Sequence, residues 1–451
     1  MFDTIAAISS GSRMNQPISI VRLSGPEALN IIKKIYKGKI GSDHEITYGH
    51  IYDQDSLVDE VLIMWFLGKK SNETIIYNNY VGEPLIEINC HGGIITTNYI
   101  LELLLSNGAR LAEKGEFTRR AYLNGKMDLV KAQAIHDLIF SKTILQAKGN
   151  VNKFKGKTSN LIDTFLNKIA MLIGICEVNI DYPEYDDVQK MNNTSMINSI
   201  DNLINELENI VKVSQDSRYL FEGVNVAILG KPNVGKSSIL NALLSEDKAI
   251  VTDIAGTTRD LVEASYQING ILFKLVDTAG LRKTDEKIEQ IGIEKSIEQI
   301  KKSDLVLHII DPTQREDEFD ELIYKQSQLN EKIYIKVQNK SDLIDNINCN
   351  NCITISALKN DIKNLEEALI EKFQNIDILD ERIFSNTQQL SHIKSALVSL
   401  QEAKKSLSES QTFDVVIIDL YNSWDSLQNI KGNVNREDLL DIMFSNFCLG
   451  K

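Results

Sequence analysis

The sequence predicts a multidomain protein of α/β and all-α parts: an N-terminal α+β domain, a discontinuous helical domain, and a P-loop α/β domain inserted into the helical one. Three observations lead there. A phosphate-loop motif stands between a strand pattern and a helix pattern near residue 230. Helical hydrophobic periodicity flanks that block on both sides, over 118–216 and 377–451. The length of 451 residues suits about three domains of roughly 150 residues.

Residues 1–117 read as mixed α and β. Ile18 to Leu23 is strand-like and ends at the turn Ser24-Gly25-Pro26. Val61 to Leu67 is an apolar run rich in β-formers. Leu85 to Cys90 alternates, with Ile86, Ile88 and Cys90 on one face and Glu87 and Asn89 on the other. His91-Gly92-Gly93 turns the chain into an apolar helix ending near Asn107-Gly108. From 118 to 216 the period becomes helical: Leu161, Phe165, Ile169, Leu172 and Cys176 form one stripe. Residues 377–451 are helical again, with Leu390, Ile393, Leu397 and Leu400 on one face. A tail this short, carrying one-sided helices, is small for its own core, so the two helical stretches are expected to form one domain around the block 217–376.

Composition narrows the class. The chain is 43% hydrophobic and 25% charged, ordinary for a globular protein. Its net charge of −14 gives no overall pull onto nucleic acid or anionic membrane. Residues 110–157 are the exception, with eleven Lys or Arg against four Asp or Glu; that strip could face RNA or be ordinary solvated helix surface. Five dispersed cysteines do not suggest a secreted disulfide framework. No basic n-region opens the chain, and no stretch approaches about 18 uninterrupted apolar residues, so a cytoplasmic protein without membrane spans is expected.

The chemistry concentrates in the central block. Val224 to Leu229 is a buried-strand pattern running into Gly230-Lys231-Pro232-Asn233-Val234-Gly235-Lys236-Ser237 and a helix from Ser238. Glycines in this spacing let backbone N–H groups wrap phosphates at a helix N-terminus, with Lys236 reaching the outer phosphates and Ser237 binding Mg²⁺. Asp277-Thr278-Ala279-Gly280 follows another strand, where Asp277 suits the Mg²⁺ shell and Gly280 the γ-phosphate. Between them lies Gly256-Thr257-Thr258-Arg259-Asp260, with Thr258 the natural switch hydroxyl for Mg²⁺. Asn339-Lys340-Ser341-Asp342 follows the strand Ile333 to Val337, and Asp342 can accept both N–H groups of a guanine edge. Ser356-Ala357-Leu358 would support the guanine carbonyl. Together these pieces, in this order, specify a GTPase. Leu281 stands where many GTPases carry a water-orienting glutamine. The charged run Asp285-Glu286-Lys287-Ile288-Glu289 offers polar substitutes, or simply a solvated face.

These residues resemble the bacterial tRNA-modification GTPase family MnmE (TrmE), over essentially the whole chain. The likeness rests on 230–238, on Ala249 to Asp260 and on Ile288 to Glu294. Outside the GTPase block it rests on Gly115 to Ala121, Asn124 to Leu129, His91-Gly92-Gly93 and the terminal Cys448-Leu449-Gly450-Lys451. The resemblance implies a homodimer with an N-terminal tetrahydrofolate-binding domain. It also implies a heterotetramer with the FAD-containing flavoprotein MnmG (GidA), adding an aminomethyl or carboxymethylaminomethyl group to C5 of the wobble uridine of certain tRNAs. The one-carbon source would be 5,10-methylene- or 5-formyl-tetrahydrofolate. Carried over, the GTP contacts include Asn233, Val234, Gly235, Lys236, Ser237, Ser238, Thr252, Asp253, Ile254, Ala255, Gly256, Thr257 and Thr258. K⁺ would be held by Asn233, Thr252, Ile254 and Thr257, and Glu289 would orient the attacking water. Arg22, Glu87, Lys126 and Lys451 would contact the folate. The segment Ser9 to Pro17 and Pro84 depart from the family pattern near that pocket.

Plainer readings stand beside these. Arg22 and Glu87 suit a simple cross-strand ion pair. His91 suits a turn, and Cys349-Asn350-Asn351-Cys352 an Asn-rich loop. A ribosome-assembly GTPase is the rival function, but it should carry an appended RNA-binding module such as a KH domain. A metallocofactor-maturation GTPase should carry a three-cysteine site.

Overall fold

A computed structural model of the chain describes residues 3–10, 15–72, 74–181, 193–244, 265–275, 289–343, 351–373, 379–432 and 450. The chain divides into two compact units, 1–136 with 428–451, and 137–427.

The first unit is built on a seven-stranded sheet. Its strands are β1 (Ile5–Ile8), β2 (Ile18–Ser24), β3 (Tyr36–Gly38), β4 (Glu45–Asp53), β5 (Ser56–Phe66), β8 (Leu85–His91) and β9 (Arg110–Leu111), in the order β3-β4-β5-β8-β2-β1-β9. A small hairpin, β6 (Lys69–Ser71) with β7 (Thr74–Ile76), lies outside it. All neighbours are antiparallel except β1 and β9. The expected apolar run at Val61 is the second half of the longer β5. The helices Ala28–Ile35 and Ile94–Ser106 supply core residues on one face, where Val21, Leu23, Ile32, Ile63, Trp65, Ile86, Ile88, Ile100 and Leu104 are buried together. The alternation of β8 has its expected outcome: Ile86 and Ile88 are buried, and Glu87 falls on the opposite face. On that side Ile5, Ala7, Val81, Leu85, Ala112 and Phe117 form a smaller cluster, with Tyr80 packed against it.

The second unit contains the helices Ile144–Phe154, Lys157–Asp181, Asn193–Glu222 and Thr387–Ser408 and most of Phe413–Lys431. The predicted stripe on Lys157–Asp181 is buried at Phe165, Ile169, Leu172 and Cys176. Thr387–Ser408 packs along Asn193–Glu222 and buries Ile393 and Leu400. The other half is a six-stranded sheet of β10 (Val224–Leu229), β11 (Ser265–Ile268), β12 (Ile271–Leu275), β13 (Leu305–Ile310), β14 (Ile333–Gln338) and β15 (Ile353–Thr354). Its order is β11-β12-β10-β13-β14-β15, parallel except for β11 with β12. Near-continuous Val, Ile and Leu in β10 and β13 fits strands covered on both faces. Ser214 near the entry to this sheet ties down the exit: its Oγ donates to the Arg382 carbonyl and accepts from the Phe384 N–H, each at 3.0 Å.

Candidate nucleotide site and the Arg22 cluster

The phosphate loop leaves β10 at its C-terminal end, the place where parallel α/β sheets form ligand crevices. Two glycines make the turn possible. Gly230 has φ +149° and Gly235 φ +98°. A Cβ at Gly230 would lie 2.3 Å from the Ile309 carbonyl oxygen, and one at Gly235 would lie 2.1 Å from Asn339 Nδ2. Neither position admits a side chain. Asn233 is also left-handed, at φ +61°. The helix Lys236–Leu243 follows at once. Lys236 Nζ donates to the Gly230 carbonyl at 2.8 Å and to the Lys231 carbonyl at 2.6 Å, so the ammonium lies across its own loop. Burial pushes its pKa down.

The loops after β14 and β15 join this turn through one side chain. Asn339 is buried; its Nδ2 donates to the Val234 carbonyl and its Oδ1 accepts from the Ala357 N–H, both at 3.0 Å. The Asp342 carboxylate accepts from Ser356 Oγ at 2.5 Å, and this bond holds its pKa below the ordinary range. Lys340 pairs with Asp311 at 2.6 Å. Burial pushes the Asp311 carboxyl up, but Lys340 and the N–H and hydroxyl of Thr313 outweigh it and hold it low. Leu358 is exposed, and Cys352 Sγ lies 3.6 Å from Gln338 Oε1. Thus Asn233 to Ser238, Asn339 to Asp342 and Ser356 to Leu358 come together at one end of the sheet. Thr252 to Thr258 and Asp277 to Gly280 lie outside the described residues, as does the Glu289 side chain, although Glu289 opens the helix Glu289–Lys302.

In the first unit, Arg22 of β2 faces Glu87 of β8 in register, and Arg22 Nε donates to Glu87 Oε1 at 2.7 Å. The plain cross-strand pair is therefore present. Arg22 does more than pair: Nη1 donates to the Tyr80 hydroxyl at 3.0 Å and to the Gly450 carbonyl at 2.9 Å. Burial raises the Tyr80 pKa to about 12. Gly450 has φ +86°, and a Cβ there would lie 2.3 Å from the Ile8 carbonyl oxygen. Gly450 is thereby docked beside Arg22; Lys451, the next residue in sequence, lies outside the described residues. Lys126 Nζ donates to the Tyr77 carbonyl at 2.6 Å. His91 binds Asp59, with Nδ1 and Oδ1 2.6 Å apart.

Comparison with known proteins decides the kinship. Residues 4–126 match the model for the GTP-binding protein TrmE N-terminus, and residues 129–448 the model for the MnmE helical domain. The tRNA modification GTPase MnmE of Mycoplasmopsis synoviae (strain 53) is 55% identical, over 100% of this chain and 98% of its own. The chain belongs to the MnmE family. Other relatives include the tRNA modification GTPases MnmE of Mycoplasmopsis pulmonis (strain UAB CTIP), 53% identical over 100% of both chains, and of Streptococcus mutans serotype c (strain ATCC 700610 / UA159), 41% identical over 100% of this chain and 99% of its own.

A buried network that no sequence motif marks stands behind the phosphate loop. His308 binds Asp320 and Tyr334, and Asp320 binds Lys231. Its one sequence signal is a histidine inside the apolar strand Leu305–Ile310. The basic strip also looks different. Arg110 and Arg120 are paired with Asp3 and Glu116, and Arg120 also with Glu83. Lys153 is buried against Ser385 and the Phe221 ring. Among the described residues, no helix is long and apolar enough to cross a membrane.

Proposed function

We propose that this MnmE family member, a GTPase of tRNA modification, binds GTP at the crevice after β10 and reduced folate on the sheet of its first unit. The observation that carries the nucleotide reading is Asn339, whose amide joins the phosphate loop to both base-recognition segments. Asp342 suits the two N–H groups of guanine, since its carboxylate is held ionised by Ser356 and only accepts. Lys236 would transfer from the carbonyls of 230 and 231 to the outer phosphates. Loop glycines without room for a side chain and the left-handed Asn233 fit a phosphate-wrapping turn. Ser237 and Thr258 would hold Mg²⁺, and Asn233, Thr252, Ile254 and Thr257 would hold K⁺. These ions, when bound, neutralise charge on the phosphates. Glu289 would orient the attacking water in place of a glutamine.

Arg22, Glu87, Lys126 and Lys451 are the proposed folate contacts. The docking of Gly450 on Arg22 supports a C-terminal contribution there. The domain reading is 1–117 for folate and dimerisation, 118–216 with 377–451 for the helical domain, and 217–376 for the GTPase. The active assembly would be a cytoplasmic homodimer joined by the flavoprotein MnmG, carrying FAD. It would place a carboxymethylaminomethyl or aminomethyl group on C5 of the wobble uridine. Mass spectrometry of wobble nucleosides tests this: a deletion strain should lose the modified uridine and regain it with the wild-type chain but not with Lys236→Ala. An unchanged nucleoside profile would reject the reading.

A further inference from the structure

Lys231 follows the first glycine of the phosphate loop, yet its ammonium points away from the loop's own groups. It donates to the Arg315 carbonyl at 2.6 Å and pairs with Asp320 Oδ2 at 2.7 Å and Asp317 Oδ2 at 3.0 Å. Asp317 is largely exposed, so its pairing is weak. Asp320 is only 4% exposed. Its Oδ2 also accepts from the Asp317 N–H at 3.1 Å, and its Oδ1 lies 2.9 Å from His308 Nε2. A carboxylate only accepts, so Nε2 carries the proton. In the neutral ring Nδ1 then accepts from the Tyr334 hydroxyl at 2.6 Å. Burial pushes His308 toward that neutral form, offset in part by Asp320.

A helix cap explains why Asp320 binds the Asp317 N–H, because the two residues form a capping box. It does not explain His308. The other residues of β13 are Leu305, Val306, Leu307, Ile309 and Ile310, and nothing in their packing asks for an imidazole. His308 holds Asp320, and Asp320 in turn holds Lys231, whose backbone carbonyl, with that of Gly230, seats Lys236.

We propose that Asp320, held by His308, is a positioning residue of the nucleotide site: it fixes Lys231 and so the backbone from which Lys236 meets the phosphates. This rests on the reading of residues 230–237 as the GTP phosphate site. The test uses the full-length chain and stopped-flow release of a fluorescent N-methylanthraniloyl GDP. Asp320→Asn and Lys231→Met should each speed release about ten-fold, the range of a modest coupling between sites. The double variant should be no faster than either single one, because both act through one contact. A merely structural role would lower the unfolding midpoint of each variant without that coupling. If Asp320→Asn fails to fold, Lys231→Met against Lys231→Arg decides: fast release in the first and near-wild-type release in the second is expected. Unchanged release in Asp320→Asn or in Lys231→Met, or fully additive effects in the double variant, overturns the inference. A wild-type chain that binds no labelled nucleotide overturns the phosphate-site reading, and this inference with it.

Discussion

The Asn339 side-chain amide donates to the Val234 carbonyl at 3.0 Å, so the first residue of the run Asn339 to Asp342 is built into the phosphate loop. Its oxygen is equally engaged, by the Ala357 N–H. Asn339→Ala therefore leaves a buried acceptor and a buried donor without their partner. The expected loss is about 1–3 kcal/mol of stability, read by chemical denaturation. Guanine nucleotide affinity should fall with it, since three loops lose their common strut. Wild-type affinity in a folded Asn339→Ala chain would show that the strut is dispensable.

The GTPase step makes a separate prediction. Leu281 cannot align water, and Glu289 opens the helix Glu289–Lys302. Glu289→Ala should lower kcat about hundred-fold, while GTP affinity stays near wild type. Asp285→Ala and Glu286→Ala should turn over normally; a defect confined to either would move the assignment. Exchange of K⁺ for Na⁺ at equal ionic strength should slow phosphate release strongly, and equal rates would reject the K⁺ site.

Lys153 gives a pH dependence with a definite sign. Burial lowers its pKa from 10.5 to about 8, and the nearby Asp137 offsets this only in part. Between those values the unfolded chain binds the proton more often than the folded one. Stability from this group therefore rises with pH across that window, by about 2 kcal/mol from pH 8 to pH 10. Below pH 8 the burial penalty is constant. Lys153→Met removes the group, so urea midpoints of wild type and variant should shift apart in the wild type's favour as pH rises over that range. Parallel curves would mean the ammonium is hydrated in solution.

What the sequence showed and what it hid divide along range. The alternation of β8, the phosphate loop and the Asn339 to Asp342 run are local patterns, and each forms the expected element. Lys231 with Asp320 and Arg22 with Gly450 join positions 89 and 428 residues apart. Only strand order and register bring such pairs together, and no local pattern encodes either. The basic strip shows the same limit from the other side. A charge count treats Arg120 and Lys153 as free cations, whereas one sits 2% exposed among three carboxylates and the other is buried beside Ser385.

A folate bound on this sheet face would meet the Arg22–Glu87 pair. Side chains of Arg22 and Glu87 retain 17% and 14% exposure, so the pair is partly desolvated but reachable. Glu87 Oε1 is occupied by Arg22, and Arg22 Nη1 by Tyr80 and Gly450. A reduced folate offers N–H donors to a carboxylate and an acidic tail to cations. Glu87→Ala removes one charge-assisted acceptor and leaves Arg22 underpaired. It should weaken 5-formyl-tetrahydrofolate binding roughly ten- to hundred-fold by calorimetry, while GTP hydrolysis persists. Deleting Gly450 and Lys451 removes the carbonyl that Arg22 binds together with the terminal cation. It should weaken the same binding without unfolding the first unit, whose core lies among β1, β2, β5, β8 and the two helices. If Glu87 serves only its strand partner, Glu87→Ala will lower the melting temperature and leave folate affinity untouched. That result, with wild-type affinity in the truncated chain, would remove the folate site from this face of the sheet.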